Sequence, residues 1–397
     1  MILPLLLSAA SAAPTQDSWV LHAERVYTGT GEVLKNAIVS VDDGKIQSIR
    51  PGRSAPEDAL RAKALTAGMI DLSVRVNGGS RSVEQAREIQ PQLSVELAID
   101  LFDPAWGRLV GSGVTCALVS PQDRNVIGGH AVALRTAGPT DLAARQLTLP
   151  RPILRGAIGS EPSSGNHPAF GRPTDFYSRR PTTRMGVEWE WRKAFFDAVA
   201  AGGDPTREFP GAEELRSALR GERLLMIQAW ATQDIRTAVY LKEEMAREGF
   251  GNLDLVLDAA AEAWREPNFL IRTGTTVVLP PFPASGRSTD GAFMAWERTA
   301  ALAEQGVRLC LSSHGARSAS MRLDRQAGFA RRAGLTFDQT LAAVTTNPAA
   351  VLGLGERLGT VEVGKDADLC LWSGTPFEAS SRVVGVLVQG ELVRDPR

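Results

Sequence analysis

The sequence predicts an α/β architecture, a (β/α)8 TIM-like barrel joined to a small β-sandwich made from both chain ends. Three observations predict it. The middle of the chain alternates apolar strand-like runs with amphipathic helical runs, the pattern of parallel βα units. The two ends instead carry short runs that alternate at period two between turn residues. Where the first end meets the middle, residues 67–79 read AGMIDLSVRVNGG, the shape of a first barrel strand.

A chain of 397 residues, 43% hydrophobic and 22% charged, can bury a large core as one large barrel or as two domains. Its net charge of -1 gives no bulk electrostatic reason to expect nucleic acid or an anionic membrane surface as partner. Residues 1–13, MILPLLLSAASAA, place a short apolar run before small residues spaced A-x-A. This predicts a signal peptide and a periplasmic or secreted protein, or a cytoplasmic one if the leader is not a signal. Nothing else is long and apolar enough to make a stable membrane span. Cys116, Cys310 and Cys370 lie inside apolar runs, which suits buried inert thiols rather than a disulfide framework or a zinc site.

Residues 17–65 and 356–397 form the predicted discontinuous sandwich. WVLHAERVYTG and VLKNAIVSV are followed by Asp42-Asp43-Gly44 and KIQSIRP, a hairpin signal because a primed turn needs the positive φ that Gly44 supplies. Near the other end ADLCLW and VVGVLVQGELV supply the partner strands, with Gln389-Gly390 as a second tight turn. The barrel spans residues 66–355. Its strand candidates are GVTCALVSP, RLLMIQAWA, LDLVLDAAA, TTVVLPPF and VRLCLSSHG. In the helical run TQDIRTAVYLKEEMAREG, Ile235, Ala238, Leu241 and Met245 recur at helical spacing until Gly249 stops it. Thr336 and Gln339 predict a capping box opening another helix. Residues 151–186, rich in Pro, Gly and Arg, break the rhythm and predict a long irregular functional loop.

In the opening stretch Asp71, Ser73 and Arg75 alternate with Leu72, Val74 and Val76, so the polar face meets a pocket or solvent. This phrase resembles the first strand of the amidohydrolase superfamily, P-G-x-I-D-x-H-x-H, whose two histidines hold metal. GVTCALVSPQDRNVIGGHAVALR, RPTTRMG, ATQDIRTAV and NPAAVLGLGERLGTVEVGKDADLCLWSGTP are similar to a bacterial imidazolonepropionase-like subgroup, the last being the most specific. The resemblance implies the barrel-and-sandwich fold, hydrolysis of C–N bonds, and zinc or another divalent metal at the barrel mouth. Its ligand positions are degenerate here. The first-strand histidines become Ser73 and Arg75, and a fourth-strand Glu falls at Ser160 with Glu161 beside it. The fifth-strand H-A-H reads Gln228-Ala229-Trp230, the sixth-strand histidine falls at Ala259, and the eighth-strand aspartate at His314.

Imidazole and carboxylate would hold the metal, and the metal would lower the pKa of bound water to about 7. Ser, Gln, Ala and Trp cannot replace that set. A guanidinium at Arg75 would repel a dication ~4 Å away by roughly 8 kcal/mol at an effective dielectric of ~20. The expectation is therefore no bound cofactor. The four histidines, His22, His130, His167 and His314, contain no i,i+4 pair and no His-x-His. His314, beside Ser312 and Ser313 at a strand's carboxyl end, is placed where barrel chemistry occurs. With Asp258 or Glu161 nearby it could complete a Ser-His-acid set, although no G-x-S-x-G elbow is present.

Three readings stay open. One is a pseudoenzyme with a ligand-binding or scaffold role, in which Arg75 pairs with a carboxylate (Asp71, Glu161 or Asp258) or receives a small anionic ligand. Another is an active hydrolase of peptide or non-peptide C–N bonds using Glu161, Asp258 and His314 as displaced ligands. The third is a structural subunit that forms a homo-oligomer or pairs with an active homologue.

Overall fold

The computed structural model describes residues 18–75, 82–84, 87–164, 181–282, 289–315 and 318–396. The expected signal peptide (1–13), His167 and the 165–180 part of the expected irregular loop lie outside these residues.

Both ends of the chain build one seven-stranded sheet in the order β16-β15-β14-β4-β1-β2-β3. The first end supplies β1 (Ser18–Tyr27), β2 (Val33–Asp42), β3 (Lys45–Pro51) and β4 (Leu60–Ala67); the other supplies β14 (Leu369–Trp372), β15 (Val383–Val388) and β16 (Glu391–Arg394). Both predicted primed turns form, with φ of 49° and 71° at Asp43 and Gly44 and of 50° and 81° at Gln389 and Gly390. The sheet curls until these turns touch: a Cβ on Gly44 would lie 3.0 Å from the Gln389 carbonyl. Leu21, Val39 and Ile46 then share one apolar cluster with Leu369, Leu371 and Leu387, so the two ends stabilise each other.

The second sheet is the barrel, ordered β13-β12-β11-β10-β9-β7-β6-β5, with the two-residue β8 (Gln146–Leu147) pairing with β7. Its strands are β5 (Met69–Val74), β6 (Val114–Val119), β7 (Ile127–Arg135), β9 (Ile153–Ala157), β10 (Leu224–Gln228), β11 (Asp254–Asp258), β12 (Thr276–Leu279) and β13 (Leu309–Leu311). Seven of these run parallel, as the fold class requires, whereas β7 runs antiparallel to both neighbours. The cause lies in the connection. Only residues 120–126 separate β6 from β7, and a parallel crossover needs about a dozen residues or more.

Helices cover the barrel: α1 (Ala105–Gly111), α2 (Leu142–Arg145), α3 (Glu161–Ser164), α4 (Arg184–Ala201), α5 (Ala212–Leu219), α6 (Thr232–Arg247), α7 (Pro267–Arg272), α8 (Thr299–Glu304), α9 (Leu323–Arg332), α10 (Phe337–Val344) and α11 (Thr346–Leu352). In α6 the predicted stripe of Ile235, Ala238, Leu241 and Met245 is buried. The Thr336–Gln339 capping box opens α10. All three cysteines are free and buried, and burial pushes the Cys370 thiol up to about 12. No helix among the described residues is long and apolar enough to cross a membrane.

One expectation needs correction. Residues 151–186 are not irregular throughout, because β9, α3 and the start of α4 lie inside them. Arg155 interrupts the apolar run of β9, and that charge hid the strand.

Candidate functional site at the carboxyl ends of the barrel strands

The centre of the barrel holds two guanidiniums and two carboxylates. Every residue of β5 is buried, and the chain leaves it at Arg75, whose side chain is only 10% exposed. Arg155, 1% exposed, projects from β9. Asp258 ends β11, and Asp123 sits on the short β6–β7 connection. Arg155 grips Asp123 with two hydrogen bonds, Nε to Oδ1 at 2.8 Å and Nη2 to Oδ2 at 3.1 Å. The same Nη2 also donates to Asp258 Oδ2. Arg75 Nη2 pairs with Asp123 Oδ2 and stands 3.7 Å from Asp258 Oδ2. Ser73 completes the group by donating to Asp258 Oδ2 at 2.7 Å.

The electrostatics follow from this geometry. Burial alone would raise the Asp258 pKa, but Arg155, then His314 and Arg75, and finally the Ser73 hydroxyl bring it down to about 2. Asp258 is therefore a carboxylate at neutral pH. Asp71 is shifted the other way. It is fully buried, and its hydrogen bonds to Ser312, Ser313 and the Ser73 amide do not offset that burial, so its pKa is raised.

Asp71 has a structural task. Its Oδ1 accepts from Ser312 Oγ at 2.9 Å and its Oδ2 from the Ser313 amide at 3.0 Å, so the carboxyl staples β5 to the residues just after β13. Ser312 and Ser313 both donate to Asp71. His314 follows with a φ of 48° and meets the edge of Trp230, their ring centroids 6.1 Å apart. Gln228 is buried at the end of β10, where its carbonyl accepts from the Ile158 amide at 2.8 Å.

Ser160 and Glu161 belong elsewhere. Ser160 donates to Asp290, which Arg184 also binds, while Arg184 Nε reaches Asp234 Oδ1 at 2.9 Å. RPTTRMG and ATQDIRTAV thus meet through Arg184 and Asp234. Glu161 is exposed on α3. The other two described histidines are half-buried: the His130 amide donates to the Leu93 carbonyl at 2.7 Å, and His22 Nε2 lies 3.2 Å from the Gly52 carbonyl.

Reading the sequence missed Asp123 and Arg155. A signal for Arg155 existed, an arginine inside the apolar phrase PILRGAIG. Asp123, in a connection rich in polar residues, gave none.

The divalent metal that the resemblance implies does not fit these residues. Asp123 and Asp258 already neutralise two guanidiniums. Among the described residues, no group of three or more His, Cys, Asp or Glu side chains is arranged to hold a metal ion.

Comparison with known proteins follows the fold. Residues 284–393 match the sequence profile described as "Amidohydrolase family". A solved amidohydrolase from Thermotoga maritima superposes with a TM-score of 0.82 at 24% identity, covering 95% of this chain and 99% of that one. A 51-residue stretch is 49% identical to an imidazolonepropionase from Sphingopyxis alaskensis, 13% of each chain. The family signal thus sits in the last third of the chain, and the fold around it is that of a solved amidohydrolase. The amidohydrolase tasK of Hapsidospora irregularis is 26% identical over 385 residues, covering 87% of this chain. The match spans only 38% of that relative's length. At the mouth of this barrel two arginines stand among the strand ends.

Proposed function

We propose that the protein keeps the amidohydrolase barrel without metal-dependent hydrolysis and serves as a ligand-binding or scaffold protein. One observation carries this reading: Arg75 and Arg155 neutralise Asp123 and Asp258 inside the barrel mouth. A dication entering there would have to displace two fixed positive charges, and like charges at such separations repel by several kcal/mol even at an effective dielectric of ~20. A hydrolase built on Glu161, Asp258 and His314 has less support, because Glu161 is exposed while Asp258 is buried and paired. Arg75, engaged by two carboxylates, suits an ion pair better than a receptor for an external anion.

The test is elemental analysis after gentle purification, joined to assays on amides, lactams, hydantoins and dipeptides with added zinc, iron, manganese or nickel. The expected outcome is less than stoichiometric metal and no turnover. One equivalent of metal, lost in Asp258→Asn or His314→Ala, overturns the proposal.

A further inference from the structure

Outside the barrel mouth, a cleft of about 480 Å³ opens between α9 and the chain leaving β14. Its size falls in the range of about 300–1,000 Å³ typical of small-molecule sites. One wall is a single helix face: Arg325, Gly328, Phe329 and Arg332 follow one another at i, i+3, i+4 and i+7. The opposite wall carries Trp372, Phe377 and Ser381.

Three features of this cleft are unusual for a surface dent. Glycine inside a helix costs about 1 kcal/mol relative to alanine, and Gly328 is placed where a Cβ would lie 2.9 Å from the Phe377 carbonyl. Phe377 itself holds a φ of 68°, a left-handed conformation that a bulky residue rarely adopts. Helix and loop are thus pressed together at considerable local cost. The second feature is Ser381, which is 5% exposed and whose hydroxyl has no hydrogen-bond partner among the described residues. Buried hydroxyls are ordinarily paired.

The third feature is charge. Arg325, Arg331 and Arg332 line the cleft, and none forms an ion pair among the described residues. Arg325 and Arg331 donate to backbone carbonyls at 3.4 and 3.5 Å, and Arg331 also lies over the Phe337 ring, 5.7 Å from its centroid. Asp324 is already paired with Arg322 at 2.9 Å, which leaves Glu378 as the one opposing carboxylate on the lining. Arginines in a last helical turn complement the helix dipole. That accounts for Arg331 and Arg332 but not for Arg325 or the Ser381 hydroxyl.

The geometry points to a binding site for a small organic anion with a flat apolar body, an aromatic carboxylate. Phe329 and the exposed part of Phe377 take the flat body with Trp372 backing Phe377 from beneath, the arginines take the carboxylate, and Ser381 Oγ donates the hydrogen bond it otherwise lacks. This site is separate from the barrel mouth and does not rest on the function proposed above.

Isothermal titration of the full chain with 2-naphthoate and with neutral 2-naphthamide tests it. Naphthoate should bind one equivalent, about ten-fold or more tighter than naphthamide. The double variant Arg325→Glu/Arg332→Glu should weaken naphthoate by about ten-fold or more and leave naphthamide nearly unchanged. Both positions are exposed, so folding should survive; if the melting temperature falls, Arg332→Gln alone repeats the comparison. Ser381→Ala should weaken naphthoate by about three-fold. No saturable binding at millimolar naphthoate, equal affinity for the amide, or unchanged affinity in the charge-altered variants overturns the proposal.

Discussion

Two buried ion networks treat their carboxylates in opposite ways. At the barrel mouth, Asp123 and Asp258 share Arg75 and Arg155, and Asp258 is held at about 2. At the seam between barrel and outer sheet, Asp366 takes Lys45, Arg135 and Arg357 together. Its neighbour Asp368 is left 3.8 Å from Arg135, and burial pushes its pKa up to about 6. At the mouth Arg155 and Arg75 both face Asp258 and hold it charged. Where one carboxylate takes most of the cations, the next moves toward its neutral form. A buried carboxylate's charge therefore depends on how its neighbours divide the cations.

The largest effect should come from breaking the mouth. Arg155→Met leaves Arg75 alone between two buried carboxylates and should cost about 3–5 kcal/mol in urea unfolding, with Arg75→Ala next at about 3 kcal/mol. Losses below about 1 kcal/mol in both would mean that water or rearrangement replaces the arginines.

The second effect separates the networks by pH. The folded pKa of Asp368 is raised, so its stabilising contribution is complete below ~3.9 and is lost as pH rises through about 6. Asp368→Asn should therefore gain on the wild type, by on the order of 2 kcal/mol, between about pH 4 and about pH 7.5. Asp258 has the reverse sign. Its contribution is present above ~3.9 and is lost as pH falls through about 2. Stability curves of the two Asn variants that bend the same way would remove the distinction.

The smallest effect is expected at Lys45, whose side chain is 51% exposed where it meets Asp366. Lys45→Ala should cost about 1 kcal/mol or less, and less still at high salt. A larger loss in a thermal melt would show that the seam depends on its outermost cation.

Much of this architecture was legible in the sequence, for local reasons. Asp43-Gly44 and Gln389-Gly390 need positive φ, and the apolar stripe of α6 and the Thr336–Gln339 cap are set by residues a few positions apart. The direction of β7 was not recognised, although the shortness of its connection was the relevant clue. Arg75 could be placed at the mouth from its strand, but its main partner could not. Asp123 and Arg155 are 32 positions apart, and the pairing of β7 with β9 brings them together. Seven of the expected pocket residues lie on or just beyond β5, β10, β11 and β13, whereas Ser160 and Glu161 follow β9 into a different cluster.

β4 runs into β5 with only Gly68 between them. A Cβ on Gly68 would lie 2.2 Å from Thr115 Oγ1, and its amide donates to the Asp368 carbonyl at 2.7 Å. From there the strand proceeds, buried at every residue, to Arg75. At about 3.3 Å per residue this segment spans roughly 23 Å, and its pairing with β6 shifts register between Met69 and Ile70 and again between Asp71 and Val74. The two ion networks are fixed to its opposite ends. A strand buried at every residue links the two networks through the backbone, so a displacement of the outer sheet is carried toward the barrel mouth. The peripheral sheet is in this sense the handle by which the centre of the barrel is held.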